Sequence, residues 1–169
     1  HIELDALHHD PGWQEAPAEL LQSRVRAALD DAPDGWVVDG NYRAKLGSLV
    51  LERADTAVLL ALPFRLTFRR SLRRTIGRTI TREELYNGNR EEIRFLFTRY
   101  WIPWWVLRSH RGYEPEISER VAEQPYVRLV TFRTPEEIER WLQSIQATDS
   151  MSGSSNDSER QKTPPLAET

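Results

Sequence analysis

The sequence feature that most constrains the fold is a short apolar run that ends in an acid, Trp36-Val37-Val38-Asp39. Its apolar residues are consecutive and do not alternate with polar ones, which is typical of a parallel strand buried on both faces. Gly40 follows, and glycine permits a sharp turn with a close approach to a ligand. Because ligands of open α/β sheets bind at the carboxyl ends of the strands, Asp39 is a candidate site residue. The alternative is a strand that ends in an ordinary polar turn.

Three further stretches predict strands of the same sheet. His1–Leu4 predicts a short strand followed by Asp5, residues 56–62 form a continuous apolar run before Pro63, and residues 126–132 form a less apolar run. Strands that alternate with helices predict a parallel, three-layer α/β sheet. Segments with helical spacing separate or follow the strands, at 18–31, 44–53, 64–79, 90–109, 115–124 and from 134 onward.

Composition and charge set broad limits on function. The chain of 169 residues carries a net charge of −3, which does not favour a nucleic-acid partner, and it has no cysteine for a disulfide or a thiolate metal site. No run reaches the ~18 apolar residues of a membrane helix, so a membrane partner is not expected and a cytoplasmic location is the default expectation. We expect one α/β domain over 1–146, followed by a disordered polar tail over 147–169.

Positive charge is concentrated in the middle of the chain. Residues 64–111 hold twelve arginines and four glutamates, a net charge of 12 − 4 = +8. A solvated charged face is one interpretation of the helical segment 64–79, but such faces normally mix signs, and no acid occurs over 65–82. The segment therefore predicts a surface for an anionic ligand. Its candidate phosphate-binding residues are Arg70, Arg73, Arg74 and Arg78.

Several polar or aromatic stretches are interpreted as structural. Residues 6–17 predict a loop with a turn at Pro11-Gly12, in which the adjacent His8 and His9 are loop polar groups instead of metal ligands. Asn87-Gly88-Asn89 predicts another turn. The tryptophans at 101, 104 and 105 are expected to pack against the domain, with a partner surface as the alternative.

The motifs occur in an order that resembles a known family. The stretches Leu4–Leu7, Pro11–Trp13 and Trp36–Tyr42 carry most of the specificity, and an apolar strand, an arginine-rich helix and a last strand with its helix follow them. Together they resemble the adenylate-kinase-like P-loop NTPases. The group with the best match is the bacterial one labelled DNA topology modulation proteins or adenylate-kinase-related proteins. The resemblance covers about residues 1–146.

The resemblance implies an α/β fold with a three-layer parallel sheet of the P-loop kinase type, in the strand order 2-3-1-4-5. One family motif is absent, because nothing in the sequence matches Gly-x-x-x-x-Gly-Lys-Ser/Thr, the loop whose backbone N–H groups cradle phosphates. In the family this loop follows the central strand, and both precede the strand that matches His1–Leu4. We therefore expect a fragment that lacks central strand 1 and the phosphate-binding loop.

The resemblance also implies roles for individual residues. Asp39 matches the acid that holds Mg²⁺ through water, and Asp5 matches an acid near the acceptor hydroxyl. Arg43 matches an arginine on the acceptor phosphate, although Asn41-Tyr42 stands where adenylate kinases have Phe-Pro. The other implied residues are the phosphoryl-clamping arginines of a lid-like segment over about 64–111, Arg70, Arg73, Arg74 and Arg78, and the border of an adenine pocket, Arg133, Thr134 and Pro135.

The expected function of the intact protein is an ATP- and Mg²⁺-dependent phosphotransferase that acts on a small molecule or a nucleotide. Phosphoryl transfer depends mainly on positioning and charge neutralisation, so arginines, Mg²⁺ and a metal-holding acid are the parts it needs. The chain itself is expected to be inactive. The alternatives are a nucleic-acid-associated NTPase, which the arginine-rich helices suggest, and an inert remnant.

The family's strand order makes specific predictions about pairing. The stretch 1–4 should pair in parallel with 36–39, and 56–62 should pair in parallel with 127–132. Between 36–39 and 56–62 we expect either a gap about 10 Å wide, twice the ~4.8 Å spacing of paired strands, or a direct pairing that closes it.

Overall fold

The structure is a computed structural model, which describes the backbone of residues 1–90 and 114–160 and the side chains of 1–90 and 114–147. The predicted helix over 90–109, its three tryptophans and the segment 161–169 lie outside these ranges, apart from Arg90. Within the described ranges the chain is mixed α/β, with three two-stranded sheets and no closed barrel. The predicted α/β class is therefore confirmed.

The amino-terminal part contains a parallel pair of strands and a hairpin. Strands β1 and β4 pair with the register Ile2↔Val38 and Glu3↔Asp39, which confirms the predicted pairing of 1–4 with 36–39. The pairing is short because Leu4 already begins a helix. The elements are β1 (Ile2–Glu3), α1 (Leu4–His8), β2 (His9–Asp10), β3 (Gln14–Glu15), α2 (Ala18–Asp30), β4 (Val38–Asp39) and α3 (Arg43–Leu46).

The interpretation of residues 6–17 as a loop is wrong in most of its length. The segment contains the last turn of α1 and the antiparallel pair β2–β3, joined by a turn that includes Pro11-Gly12 as predicted.

The prediction of a single helix over 44–53 is also wrong, because the structure has the short helix α3 and a separate 3₁₀ turn at Leu51–Arg53 there. Gly47 interrupts it with a φ of 57°, a left-handed conformation that favours glycine.

The second part of the chain contains a longer parallel pair. Strands β5 and β6 pair from Thr56↔Arg128 to Leu60↔Phe132, which confirms the predicted pairing of 56–62 with 127–132. Thr134 and Glu137 exchange hydrogen bonds at the start of the last helix, so the predicted N-cap is present. The elements are β5 (Thr56–Leu60), α4 (Phe64–Thr81), a 3₁₀ turn (Tyr86–Gly88), α5 (114–122), β6 (Arg128–Phe132) and α6 (Pro135–Arg160).

The last helix is longer than the sequence predicts. It continues through 147–160, where disorder is expected from the polar composition. No proline occurs after Pro135 until Pro164, so the sequence contains no strong helix breaker in that stretch. None of the helices in the described ranges has both the length and the apolar character needed to cross a membrane.

The core of the described residues lies in the amino-terminal part. Leu21, Val25 and Leu29 recur every four residues on α2, which gives that helix one apolar stripe. Gly40 has a φ of 124°, and a Cβ placed there would lie 2.9 Å from the Leu4 Cβ. Close packing against Leu4 therefore requires glycine at this position. The buried cluster consists of Leu4, Ala16, Leu21, Val25, Leu29, Leu46 and Leu49.

Burial of the strands on both faces, which the apolar runs predict, is wrong. Val37 is 67% exposed, Val58 44% and Leu60 52%, and only Leu59 of β5 is fully buried. An apolar run reports the tendency to form a strand, whereas burial depends on the elements that lie beside it. In the described chain no strand pairing joins β4 to β5. The three-layer packing and the order 2-3-1-4-5 stay predictions.

Candidate functional site

The carboxyl end of the β1–β4 pair carries the first predicted site residue. Asp39 is the last residue of β4, is exposed and lies in register with Glu3 of β1. In the described ranges its carboxylate has no hydrogen bond or ion pair. The backbone turns at Gly40 directly after it, so the carboxylate stands at the rim of the sheet as the sequence predicts.

Asp5 lies close by and is already engaged by a tyrosine. It belongs to the first turn of α1 instead of a strand end, and its Oδ1 accepts a 2.5 Å hydrogen bond from the Tyr42 hydroxyl. Nε2 of His9 lies 3.4 Å from the same hydroxyl. Burial, followed by the hydrogen bond to Asp5, raises the pKa of Tyr42 above its ordinary value, so the phenol stays protonated at neutral pH. Asp5, Tyr42 and His9 thus form one polar chain.

A second polar group lies directly beside this chain. The Lys45 ammonium donates to Glu15 Oε2 and to the Ala16 carbonyl, each at 2.9 Å, and lies 3.5 Å from His8 Nε2. The hydrogen bond from Lys45 lowers the pKa of Glu15. His8 is only 3% exposed, and burial, followed by the Lys45 charge, lowers its pKa. The interpretation of His8 as a loop polar group is therefore wrong, because it is part of a buried network.

The protonation of His8 follows from its neighbours. His8 Nε2 lies 3.5 Å from the Lys45 ammonium and 3.5 Å from Glu15 Oε2, so it accepts from the first or donates to the second according to the tautomer. In the described part of the molecule the His8 Nδ1 has no hydrogen-bond partner. A neutral His8 is therefore the form that suits the site.

Three predicted site residues meet around Tyr86. Burial and the charges of Asp5 and Glu3 raise the pKa of the Tyr86 phenol, whereas Arg78 and Arg74 lower it. These four charged groups are therefore close enough to Tyr86 to act on the same hydroxyl. The structure thus brings Asp5, Arg74 and Arg78 into one electrostatic neighbourhood. Sequence reasoning did not single out Tyr86.

The arginine face of α4 is as the helical spacing predicts. Arg70, Arg73 and Arg74 are exposed, and in the described ranges none of them is within ion-pair distance of an acid. Arg78 is half-buried, and its Nε lies 3.8 Å from a Glu83 carboxylate oxygen. The opposite side of the helix contains the buried Ser71 and Thr75 and the half-buried Phe64 and Phe68.

The remaining predicted residues have other partners. Arg43 forms an ion pair of 3.1 Å with Glu116 of α5, so its guanidinium faces a carboxylate. Arg133 forms an ion pair with Glu114. Thr134 and Pro135 begin α6 as its N-cap and first residue, and hydrogen bonds from the backbone N–H groups of Arg133 and Thr134 lower the pKa of Glu137. The described structure does not bring Arg133, Thr134 or Pro135 to the Asp39 end of β4.

The site can accept an anion and a hydrated divalent ion. In the described ranges no group of three or more His, Asp or Glu side chains could hold a metal ion alone. Mg²⁺ commonly keeps several waters and takes only one or two protein carboxylates, with substrate phosphates as further ligands. The unpaired Asp39 carboxylate fits that second kind of site. Comparisons with protein-family models, curated proteins and solved structures found no match.

Proposed function

We propose that the protein is part of an adenylate-kinase-like P-loop phosphotransferase, which transfers a phosphoryl group from ATP to a small molecule or a nucleotide. The proposal is based on the order of the sequence motifs, on the pairing of the strands and on the charged groups at the carboxyl end of the β1–β4 pair. In this proposal the amino-terminal part binds the acceptor, and α4 contacts the phosphoryl group that is transferred.

The observation that carries the proposal is the strand pairing. β1 pairs with β4 and β5 pairs with β6, both in parallel, while no pairing in the described chain joins β4 to β5. The order 2-3-1-4-5 requires one more parallel strand at that place. Val37, Val58 and Leu60 lie on or next to the two strands and are exposed apolar side chains that such a strand would cover. In the proposed protein this strand and its phosphate-binding loop come from outside residues 1–169.

The charged residues then have distinct tasks. Asp39 would hold Mg²⁺ through water, and the bound ion would supply charge neutralisation on the phosphates. Arg74 and Arg78 stabilise the negative charge on the transferring group from the α4 side. Asp5 orients the acceptor. The Tyr42 hydroxyl holds one oxygen of the Asp5 carboxylate in place by the 2.5 Å hydrogen bond. The ion pair of Arg43 with Glu116 must open before Arg43 can contact an acceptor phosphate.

The test uses the protein extended at its amino terminus by the segment that its own reading frame encodes upstream of His1. We expect calorimetry to detect ATP binding with Mg²⁺ in the extended protein and none at micromolar concentration in residues 1–169, because the latter lack the phosphate cradle. We also expect transfer of a labelled γ-phosphoryl group to a nucleotide or small-molecule acceptor. Asp39→Asn should lower the transfer rate about 10- to 100-fold while ATP still binds, since an amide is a poorer partner for hydrated Mg²⁺.

Asp34→Asn is the matched control, because Asp34 is an exposed acid five positions earlier in the same connection. Its transfer rate should equal that of the unchanged protein. Equal rates for the two variants would contradict the role of Asp39. An upstream segment without a glycine-rich phosphate loop, or an extended protein that binds no ATP, would overturn the proposed function.

A further inference from the structure

The short segment that follows α4 closes on itself. Glu84 and Arg90 form an antiparallel bridge, the Leu85 N–H donates to the Asn89 carbonyl at 2.7 Å, and the Asn89 N–H donates to the Tyr86 carbonyl at 3.1 Å. Asn87 adopts a left-handed conformation with a φ of 55°, which asparagine tolerates better than most residues. This closed segment, residues 84–90, begins three residues after α4 ends at Thr81.

Two asparagine side chains of the closed segment reach across to the connection between α1 and β3. Asn87 Nδ2 donates to the carbonyls of Ala6 and His9 at 2.9 and 2.7 Å. Asn89 Nδ2 donates to the Asp10 carbonyl at 3.0 Å, and its Oδ1 accepts the Trp13 N–H at 2.8 Å. These bonds join residues 76 to 81 positions apart in the sequence.

Asn89 is the better protected of the two. It is 3% exposed, and a further bond from its Nδ2 to the Tyr86 carbonyl at 2.9 Å gives partners to its oxygen and its amide nitrogen. The Trp13 indole adds a bond from Nε1 to the Arg90 carbonyl at 3.0 Å. Loss of the Asn89 amide would take these partners from the half-buried Trp13 N–H and Asp10 carbonyl, and an N–H or carbonyl left without a partner away from water costs more than the mean value of a hydrogen bond.

These contacts bring charged residues of α4 and α1 together. Tyr86 lies inside the closed segment, and the charges of Asp5 of α1 and of Arg74 and Arg78 of α4 act on the pKa of its phenol. The bonds of Asn87 and Asn89 end on α1 and β2, one turn or less from Asp5. Movement of the end of α4 away from α1 would therefore break the hydrogen bonds of the exposed Asn87 and of the buried Asn89.

We propose that Asn87 and Asn89 are positioning residues that anchor the carboxyl-terminal end of α4 to α1 and β2, so that α4 is a fixed wall of the site. The family resemblance implies a lid-like segment for this arginine-rich region. The anchoring stands on the hydrogen bonds alone, whereas its use in phosphoryl transfer rests on the function proposed above. Such an anchor limits the displacement of Arg74 and Arg78 relative to α1, and small displacements of positioning groups lower the rate of a reaction strongly.

The test measures the distance between α4 and the amino-terminal part in the full chain. The protein has no cysteine, so spin labels can be attached through Arg70→Cys on α4 and Glu19→Cys on α2, both at exposed positions. Double electron–electron resonance should give a single narrow distance distribution. The double variant Asn87→Ala/Asn89→Ala should broaden it at least twofold in width, and Asn87→Ala alone should broaden it less. Asn41→Ala is the matched control, since Asn41 is exposed and has no hydrogen bond in the described ranges, and it should leave the distribution narrow.

A second label pair separates loss of the anchor from loss of the fold. Labels at Glu19→Cys and Ala44→Cys report the packing of α2 on α3, which the anchor does not touch, and this distribution should stay narrow in Asn87→Ala. A broad α4–α2 distribution in the unchanged protein would overturn the proposal. So would a distribution that stays narrow in both asparagine variants.

The pKa of Tyr86 tests the positioning role directly, because a role of the asparagines in stability alone would not change how strongly Arg78 acts on that pKa. Arg78 lowers the pKa of Tyr86 in the native chain, so Arg78→Gln should raise it. In the Asn87→Ala background the same substitution should change the pKa of Tyr86 by less than half as much, as followed by NMR of labelled tyrosine. An equal shift in both backgrounds would contradict the anchor. Because no nucleotide is used, a failure of the proposed phosphotransferase would leave these results unchanged.

Discussion

The amino-terminal part and the β5–β6 pair contain similar apolar stretches, but the side chains of the first form a buried core and several of the second are exposed. Around β1 and β4, seven buried residues form one cluster against α2. In β5, Leu59 is 2% exposed while Val58 and Leu60 on the other face are about half exposed. Phe132 of β6 contacts Trp141 of α6, with ring centroids 5.2 Å apart, but this helix does not cover Val58 and Leu60.

The difference shows that a covering element decides burial. The amino-terminal strands are only two residues long, yet α2 supplies an apolar stripe that closes the core above them. β5 has five residues and full pairing on one side, but its exposed apolar face has no such partner in the described ranges. The two parts contact each other through polar side chains such as Arg43 with Glu116 and Arg120 with the Gly47 carbonyl.

The largest expected effect comes from opening the core of the amino-terminal part. Leu21 is fully buried in the centre of the α2 stripe, so Leu21→Ala should lower the free energy of unfolding by about 2–5 kcal/mol. Leu20→Ala is the control on the same helix, since Leu20 is 41% exposed, and it should cost far less. Chemical denaturation followed by circular dichroism measures both values. Equal losses would show that α2 does not close a core.

A smaller effect on the free energy of unfolding, which depends on pH, is expected from His8 in the buried polar network of the amino-terminal part. Burial and Lys45 lower the pKa of His8 in the folded state, while Glu15 and Asp5 oppose the shift less strongly. Below a pH of about 6.5 the unfolded chain therefore binds a proton that folded His8 does not, so stability falls as the pH falls. The slope from this one group is at most about 1.4 kcal/mol per pH unit.

The measurement compares the unfolding free energies of the native chain and His8→Gln between pH 7.5 and 5.5. The variant cannot be protonated at that position, so its stability should fall less steeply over this range. His1→Gln serves as the matched control, because His1 is exposed, and its slope should equal that of the native chain. A His8→Gln slope as steep as the native one would show that the buried imidazole is not responsible.

The sequence predicts more of the fold than of the site. Consecutive apolar residues located β4, β5 and β6, and the two parallel pairings were predicted from the strand order of the family that the motifs resemble. The α2 stripe and the Thr134 cap are local patterns, which a sequence displays directly. The prediction of double-sided burial failed because burial depends on elements far away in sequence. The hairpin within 6–17 was missed because its strands are only two residues long and polar, so no apolar pattern marks them.

The site residues that could be predicted were those marked by local patterns. Asp39 was predicted as an acid at the end of a strand, Asp5 was predicted in the same way although it lies in the first turn of α1, and the arginine face of α4 was predicted from helical spacing. Lys45, Tyr86, Asn87 and Asn89 were missed, because their partners lie about 30 to 80 positions away. For the asparagines the only local signal was the turn sequence Asn87-Gly88-Asn89, which indicates a change of direction and not a pair of long-range hydrogen bonds.

The smallest expected effect on stability concerns the uncovered face of β5. Leu60 is 52% exposed, so Leu60→Thr, which places a β-branched residue suited to a strand there, should change the free energy of unfolding by no more than about 0.5 kcal/mol. Leu59→Thr, one position earlier and facing the buried side, should cost several times more. The pair of variants thus measures the difference between the two faces of one strand.

The same substitution should have a clear effect on self-association. An uncovered apolar face beside an unpaired strand edge favours association with another chain, and replacing Leu60 removes apolar area from that face while the fold is kept. Sedimentation velocity over a range of concentrations should therefore show less association for Leu60→Thr than for the native chain. A native chain that stays monomeric at high concentration, or an unchanged association in Leu60→Thr, would mean that this face of β5 is protected, and the contrast with the amino-terminal core would then not hold.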